Sequence, residues 1–192
     1  MKTLIKLFSI IILYSFAGGC SDNPSDTSFE NDPNDELGIG DSKFEVSGEV
    51  EGKMTGNAEI IILVEESPLS EEIFYILYLT IIDDNRVGNR VFRIDIAVEL
   101  QNEAIPLSVF DLGVWHEIGG YADYKHINAD LIGTVYRTIE GYSGKLEITE
   151  LDGDTATGSF EFTAATFQEG TAFGEITVKE GEFIAPVVVV YD

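Results

Sequence analysis

From residue 43 onward, short runs of strand-forming residues alternate with turns, and this pattern constrains the fold more than any other feature. In residues 91–98 every second side chain is apolar, and the positions between them include Arg93 and Asp95. Such alternation is typical of a strand with one buried face. An Asp-Gly-Asp stretch at residues 152–154 separates two further runs and is typical of a hairpin turn. The sequence therefore predicts an all-β domain, either an antiparallel β-sandwich or a partly open β-barrel.

Apolar segments sharpen this prediction. Residues 73–82 are rich in Ile, Phe, Tyr and Leu, which favours a central strand covered on both faces, although the Ser-Glu-Glu stretch before them leaves a helix as the alternative. Residues 60–64 and 187–190 are nearly continuous Ile and Val, and we expect both to be paired inside the sheets because exposed edges of this kind aggregate. Residues 101–137 lack such runs and are predicted to form long loops with one or two short strands.

The N-terminus has the order of a bacterial secretory signal. Lys2 and Lys6 are followed by an apolar run and three small residues. The apolar run is shorter than the ~20 residues that span a bilayer. Cys20, the single cysteine, comes next, in the place where a lipobox has its lipidated cysteine, although Ala17 stands where Leu is usual. We predict a lipoprotein signal peptide over residues 1–19 and a covalent diacylglycerol and acyl (palmitate) anchor on Cys20. A secreted protein with a free thiol is the alternative.

An acidic segment follows the signal. Residues 21–42 contain acids, Pro and Gly but no Lys or Arg, and they have few large apolar side chains. Such a segment buries too little apolar surface to offset the cost of ordering the chain. The predicted organisation is therefore a signal peptide at residues 1–19, a lipidated Cys and disordered tether at 20–42, and a single antiparallel β domain at 43–192.

The charge of the chain limits its partners. The formal net charge is −24, and removal of the signal would make it more negative by two. A chain of this charge repels nucleic acid, so we exclude a nucleic-acid partner. We expect contact with a membrane through the lipid anchor only, and a location in the bacterial cell envelope, on either face of the outer membrane.

Three aromatic residues in the middle of the chain form the candidate ligand site. Trp115, Tyr121 and Tyr124 combine apolar ring faces with polar tips, as stacking on a sugar requires. Loops between strands are common places for binding residues. The alternative is that these side chains close one end of a β-sandwich.

The sequence predicts no catalytic residue, no metal site and no cofactor besides the lipid anchor. His116 and His126 have no ligand spacing that is diagnostic of a metal. The chain has 35 acidic residues, so two carboxylates can meet by chance and form a hydrolytic pair. A carboxylate-based hydrolase is therefore kept as an alternative.

Recurrent glycine-led patterns such as G-x-L-x-I-T-x-L-D and G-x-F-x-F occur in residues 44–52, 142–152, 156–164, 176–178 and 181–183. These stretches resemble a family of Bacteroidota lipoproteins with a β-rich domain of unknown function. The resemblance implies a β-sandwich or partly open barrel and no known enzyme chemistry.

Together these observations predict a lipid-anchored envelope protein that acts as a non-enzymatic binding or interaction module. The expected partner is a glycan, a peptide or another envelope protein. A carboxylate hydrolase, for example one directed at glycans, and a purely structural envelope spacer are the alternatives.

Overall fold

Strands make up about three quarters of the chain that the computed structural model describes, namely residues 36–66, 72–83, 91–127, 133–168 and 171–191. The first strands are β1 Asp41–Gly48, β2 Gly52–Glu66, β3 Ile73–Asp83, β4 Val91–Leu100 and β5 Val109–Leu112. One turn of helix, α1, follows at Trp115–Ile118. The other strands are β6 Gly120–Ile127, β7 Gly133–Arg137, β8 Gly144–Asp152, β9 Thr155–Gln168 and β10 Thr171–Tyr191. The prediction of an all-β domain is confirmed.

The strands form where the sequence alternates. In β4, Phe92, Ile94 and Ile96 point inward and are nearly or completely buried, whereas the side chain of Arg93 is 47% exposed on the other face. The predicted hairpin turn joins β8 to β9, where Gly153 has a φ of 59°. Glycine adopts this left-handed conformation without the steric cost of a Cβ.

The strand pairings close the sheet on itself. The ring of neighbours passes through β1, β2, β3, β4, β6, β7, β9 and β10 and returns to β1, and every step is antiparallel. The step from β7 to β9 has one residue pair, Arg137 with Ala165. Strand β9 also pairs with β8, and β8 pairs with β5, so these two strands extend the sheet beside the short contact between β7 and β9. The pairings therefore favour the barrel over the sandwich.

Strand β10 has two parts with different neighbours. Its first part lies between β9 and β1 as far as Pro186. Residues 187–191 then pair in parallel with residues 60–64 of β2, the one departure from an antiparallel sheet among the described pairings. Residues 60–64 lie between β10 and β3, as predicted. Among the described pairings, residues 187–190 pair with β2 alone, and Val188 and Val190 are 45% and 41% exposed, so the prediction that this segment lies inside the sheet is wrong.

Large apolar side chains fill the interior of the barrel. Phe44 meets Phe92 edge to face at 5.0 Å, and Phe92 stacks on Tyr124 at 6.2 Å. The largest inward residues with no exposed surface are Tyr124, Phe183, Ile60, Leu77, Leu79, Ile81, Ile94, Ile96, Leu112 and Leu146. A barrel of about eight strands is just wide enough to be filled by its own side chains. The interior is thus a packed core, so a candidate ligand site is to be sought on the outer surface.

Two predictions about the middle of the chain are wrong. Residues 101–137 contain three strands, and one of them, β6, is a full member of the ring. Strand β3 is central, as predicted, but only its inward face is covered, because Phe74 and Ile82 on the other face are 39% and 43% exposed. The outer face of β3 is therefore a surface.

The folded unit begins earlier than the predicted boundary at residue 43. Strand β1 starts at Asp41, and Ser42 is buried, with its hydroxyl donating to the carbonyl oxygen of Gly56 at 2.9 Å. The compact unit extends over Glu36–Asp192. The predicted signal peptide, Cys20 and most of the predicted tether lie outside the described residues.

Candidate functional site

The structure brings Trp115 and Tyr121 together but separates Tyr124 from both. Trp115 begins α1, and its ring meets the ring of Tyr121 edge to face at 5.6 Å. Tyr121 and Tyr124 are three residues apart on strand β6, so they point to opposite faces. Tyr124 is completely buried in the core. The predicted three-residue aromatic platform is therefore wrong as far as Tyr124 is concerned.

A tyrosine that was not predicted, Tyr78 of β3, lies beside Tyr121 on the outer face. Tyr78 and Tyr121 are both the direct cross-strand partners of Ala97, which points outward yet has no exposed surface. The side chains around Ala97 therefore cover it. Burial is the main reason that the pKa of Tyr121 lies above its usual value, and nearby Tyr78 raises it further. Trp115, Tyr121 and Tyr78 form what we call the aromatic platform.

Two aspartates lie beside the aromatic platform. Asp95 of β4 and Asp123 of β6 are direct cross-strand partners on the outer face. Like charges in this position repel each other. Their side chains are nevertheless only 13% and 6% exposed. The two carboxylates therefore need neutralising partners.

Cations and a hydroxyl supply these partners. Asp95 accepts from Arg93 Nε at 2.7 Å, from Lys125 Nζ at 2.6 Å and from Thr80 Oγ1 at 3.3 Å. Arg137 donates to Asp123 from Nε at 3.1 Å and from Nη2 at 3.2 Å, which is a two-pronged contact. Such forked pairs hold both groups in a defined geometry. Fixed donors and acceptors thus line the aromatic platform.

The electrostatics of the aspartate pair are those of a partly desolvated site. Burial raises the pKa of Asp123 above its usual value of 3.8, although the charge and the hydrogen bonds of Arg137 lower it and Asp95 raises it slightly. A raised pKa of this kind is common at functional sites but also occurs in structural ion-pair networks. The two carboxylates lie side by side on one sheet face, rather than on opposite walls of a cleft.

An open cleft of about 900 Å³ adjoins the platform. Trp115 lines it together with the rest of α1, the start of β3 at Phe74 and the end of β4 at Glu99. The short helix ends at Gly119, whose φ of 68° lets the chain turn into β6. This turn places Trp115 between the cleft and Tyr121.

The histidines lie apart from each other. His116 is on α1 with an 80% exposed side chain, 3.9 Å from the carboxylate of Glu117. His126 is on the inward face of β6, stacked on Tyr124 at 6.4 Å. Among the described residues, no three His, Cys, Asp or Glu side chains are grouped so that they can hold a metal ion. In the same part of the chain, no helix is long and apolar enough to cross a membrane.

The sequence contained a signal for part of this site. In β6, Tyr121, Asp123 and Lys125 alternate with Ala122, Tyr124 and His126, which is the period of a strand. That period separates Tyr121 from Tyr124 and puts Tyr121 with Asp123. Tyr78 could not be found in this way, because only the pairing of β3 with β4 and of β4 with β6 brings it close.

No protein-family model matches the chain, and no curated protein or solved structure matches it either. The resemblance to Bacteroidota lipoproteins therefore remains an expectation from the motifs, and the argument for function depends on the site itself.

Proposed function

We propose that the protein is a non-enzymatic glycan-binding module, held in the bacterial cell envelope by a lipid anchor on Cys20. The observation that supports glycan binding best is the aromatic platform of Trp115, Tyr121 and Tyr78 beside the ion-paired Asp95 and Asp123. Tyr78, Asp95, Tyr121 and Asp123 lie on the outer face of the adjacent strands β3, β4 and β6, and Trp115 of α1 packs on Tyr121. The packed core leaves that face as the place for a ligand.

Sugars fit this combination for a physical reason. A pyranose ring has an apolar face of C–H groups that packs on an aromatic ring, and its edge carries hydroxyls that need donors and acceptors. Asp95 and Asp123 supply acceptors, and Arg93, Lys125 and Arg137 supply donors. Because ion pairs already hold these side chains in place, little further ordering is needed when a sugar binds.

Binding to polysaccharides tests the proposal. The detergent-extracted full chain is incubated with insoluble cellulose, chitin, xylan and mannan, and the bound fraction is measured. We expect Trp115→Ala and Tyr121→Ala each to weaken binding by about tenfold or more, which corresponds to about 1.4 kcal/mol. Phe173→Ala is the matched control, because Phe173 is an aromatic residue that is 75% exposed at another place on the barrel. Equal binding by all three variants would count against the platform.

A carboxylate hydrolase is the second candidate, and one observation favours it. Asp95 and Asp123 are adjacent, and the pKa of Asp123 is raised, as a general acid requires. The same polysaccharides, assayed for release of reducing ends, separate the two functions. Release by the wild type that is lost in Asp123→Asn, while binding is kept, would replace the binding proposal with hydrolysis.

The anchor and the location are proposed from the sequence, since Cys20 lies outside the described residues. Metabolic labelling with an alkyne fatty acid should label the wild type but not Cys20→Ser. Protease treatment of intact cells, with lysed cells and a periplasmic protein as controls, then separates the two faces of the outer membrane. Loss of the barrel from intact cells indicates the outer face, where glycans of the surroundings are accessible.

A further inference from the structure

The strand register extends the aromatic platform into a row that crosses five strands. Consecutive cross-strand partners on the outer face are Val188 of β10, Ile61 of β2, Tyr78 of β3, Ala97 of β4 and Tyr121 of β6. We call this set the apolar row. None of its members is charged, although the chain carries a net charge of −24.

A second row runs beside the first. Its cross-strand partners, again in order, are Glu59, Thr80, Asp95, Asp123 and Arg137. We call this set the polar row. Every member carries a hydrogen-bonding side chain, and the last four form two bonded pairs, Thr80 with Asp95 and Arg137 with Asp123.

The spacing of the two rows is fixed by the geometry of a β-sheet. Neighbouring strands are about 4.8 Å apart, so the apolar row is about 19 Å long, and Tyr78 and Tyr121 are separated by about 10 Å. Adjacent rows are two residues apart along each strand, which is about 6.7 Å. The outer face therefore presents a long apolar strip with a polar strip parallel to it, at a distance similar to the width of a sugar ring.

We propose that the ligand of this site is an extended, uncharged polysaccharide that lies across the strands, with its ring faces on the apolar row and its hydroxyl edge on the polar row. This inference rests on the proposed glycan binding and adds the class of glycan and its direction. An extended β-1,4-linked chain advances by roughly one strand spacing per ring. Tyr78 and Tyr121 then contact alternate rings, and Ile61 and Val188 contact rings further along.

The charges around the rows favour an uncharged chain. A polyanionic glycan is repelled by the net charge of −24. The cations of the site, Arg93, Lys125 and Arg137, are already paired with Asp95 and Asp123. A polycationic chain is attracted by the same net charge, but the apolar row offers it no carboxylate, and Asp95 and Asp123 of the polar row are already paired. Hydroxyls, in contrast, can share the remaining donors and acceptors without removing the existing pairs.

A ladder of oligosaccharides tests the direction of the ligand. Affinities of the full chain are measured for β-1,4-linked gluco-, manno- and xylo-oligosaccharides of two to about six rings. We expect the affinity to rise at least about tenfold from the shortest ligand to one of four or five rings, and then to level off. Tyr121→Ala should weaken binding at every length.

Variants at the far end of the apolar row give the decisive comparison. Ile61→Thr and Val188→Thr keep a β-branched side chain but make it polar, and we expect each to weaken the longer ligands by about three- to tenfold while leaving the disaccharide unchanged. Ile82→Thr is the matched control, because Ile82 lies on the same outer face but in neither row.

The outcomes separate the two proposals. Binding without dependence on length, or with no effect of Ile61→Thr and Val188→Thr, overturns the extended ligand but leaves glycan binding intact. Alginate and chitosan oligosaccharides are measured in the same way, and binding to these charged chains without binding to the uncharged ones overturns the uncharged class. Absence of binding to every glycan overturns the proposed function itself.

Discussion

Asp123 has a nearly buried carboxylate on the outer face of a strand. Its side chain is 6% exposed, and burial raises its pKa above 3.8 despite the two-pronged contact with Arg137. A carboxyl group whose pKa is higher in the folded than in the unfolded state binds protons more tightly when folded. Its contribution to stability is present below the unfolded pKa and is lost as the pH rises through the folded pKa. The site is thus stabilised less at neutral pH than in acid.

We expect Asp123→Asn to remove this part of the pH dependence. The free energy of unfolding of the wild type should fall more than that of the variant as the pH rises from just below 3.8 to neutral. Urea titrations at a series of pH values measure the difference. Asp111→Asn, at an exposed position on β5, is the control and should follow the wild type. Parallel curves for Asp123→Asn and the wild type would contradict the assigned burial effect.

Tyr124 is a second residue with a polar group, its hydroxyl, in an unfavourable apolar environment. Its ring stacks on Phe92 and on His126 in the core, and its hydroxyl is buried without a hydrogen-bond partner among the described residues. Burial accordingly raises the pKa of Tyr124. A buried polar group without a partner costs about 1–3 kcal/mol. We expect Tyr124→Phe to be neutral or to raise the free energy of unfolding by up to about 1 kcal/mol, measured by thermal unfolding.

Tyr124→Leu provides the contrast for that measurement. It removes the ring as well as the hydroxyl, and we expect a loss of about 2–4 kcal/mol because a cavity forms beside Phe92. A clear loss of stability in Tyr124→Phe would show that the hydroxyl has a partner in the folded protein.

The elements differ in how far the sequence predicts them, and β4 and β6 show why. Strand β4 alternates apolar with polar residues, so its inward face could be predicted directly. Strand β6 places Ala, Tyr and His inward and Tyr, Asp and Lys outward, a pattern in which polarity hardly distinguishes the two faces. The candidate site depends on the pairing of β4 with β6, which skips β5. Local alternation does not show which strands pair over a long distance in the chain. The sequence therefore could not predict that Asp95 and Asp123 are cross-strand partners.

The end of β10 has one paired and one open edge, and its amides should exchange accordingly. Val187 donates its N–H to Asp154, on the side away from β2. Because successive residues of a strand point their N–H groups to opposite sides, Val188 and Val190 donate toward β2, and Val189 and Tyr191 point toward the open side. We expect hydrogen exchange by NMR to show slow amides at 188 and 190 and fast ones at 189 and 191. Uniformly fast exchange over residues 187–191 would contradict the parallel pairing.

In the molecule as a whole, the core and the proposed ligand site lie on opposite faces of the same strands. The inward side chains form one continuous core that fills the barrel. The outer face presents the apolar and polar rows. A packed barrel has a rigid wall, so the two rows follow its curved outer face at a fixed separation. This is the property that an extended ligand needs, because each contact along it is useful only if the others are aligned at the same time.

Closure of the wall between β6 and the segment after β5 depends on Thr138, which is 3% exposed. Its Oγ1 accepts from the N–H of Ala122 at 2.9 Å and donates to the carbonyl oxygen of Gly113 at 3.0 Å. Thr138→Val keeps the shape but leaves two buried backbone groups without that partner, at about 1–3 kcal/mol each. We expect urea unfolding to show a loss of about 3 kcal/mol. Thr163→Val removes two exposed bonds to Ser143, at 3.3 Å and 3.4 Å, and should cost less than about 0.5 kcal/mol because water replaces them. Equal losses in the two variants would show that Thr138 does not join the wall.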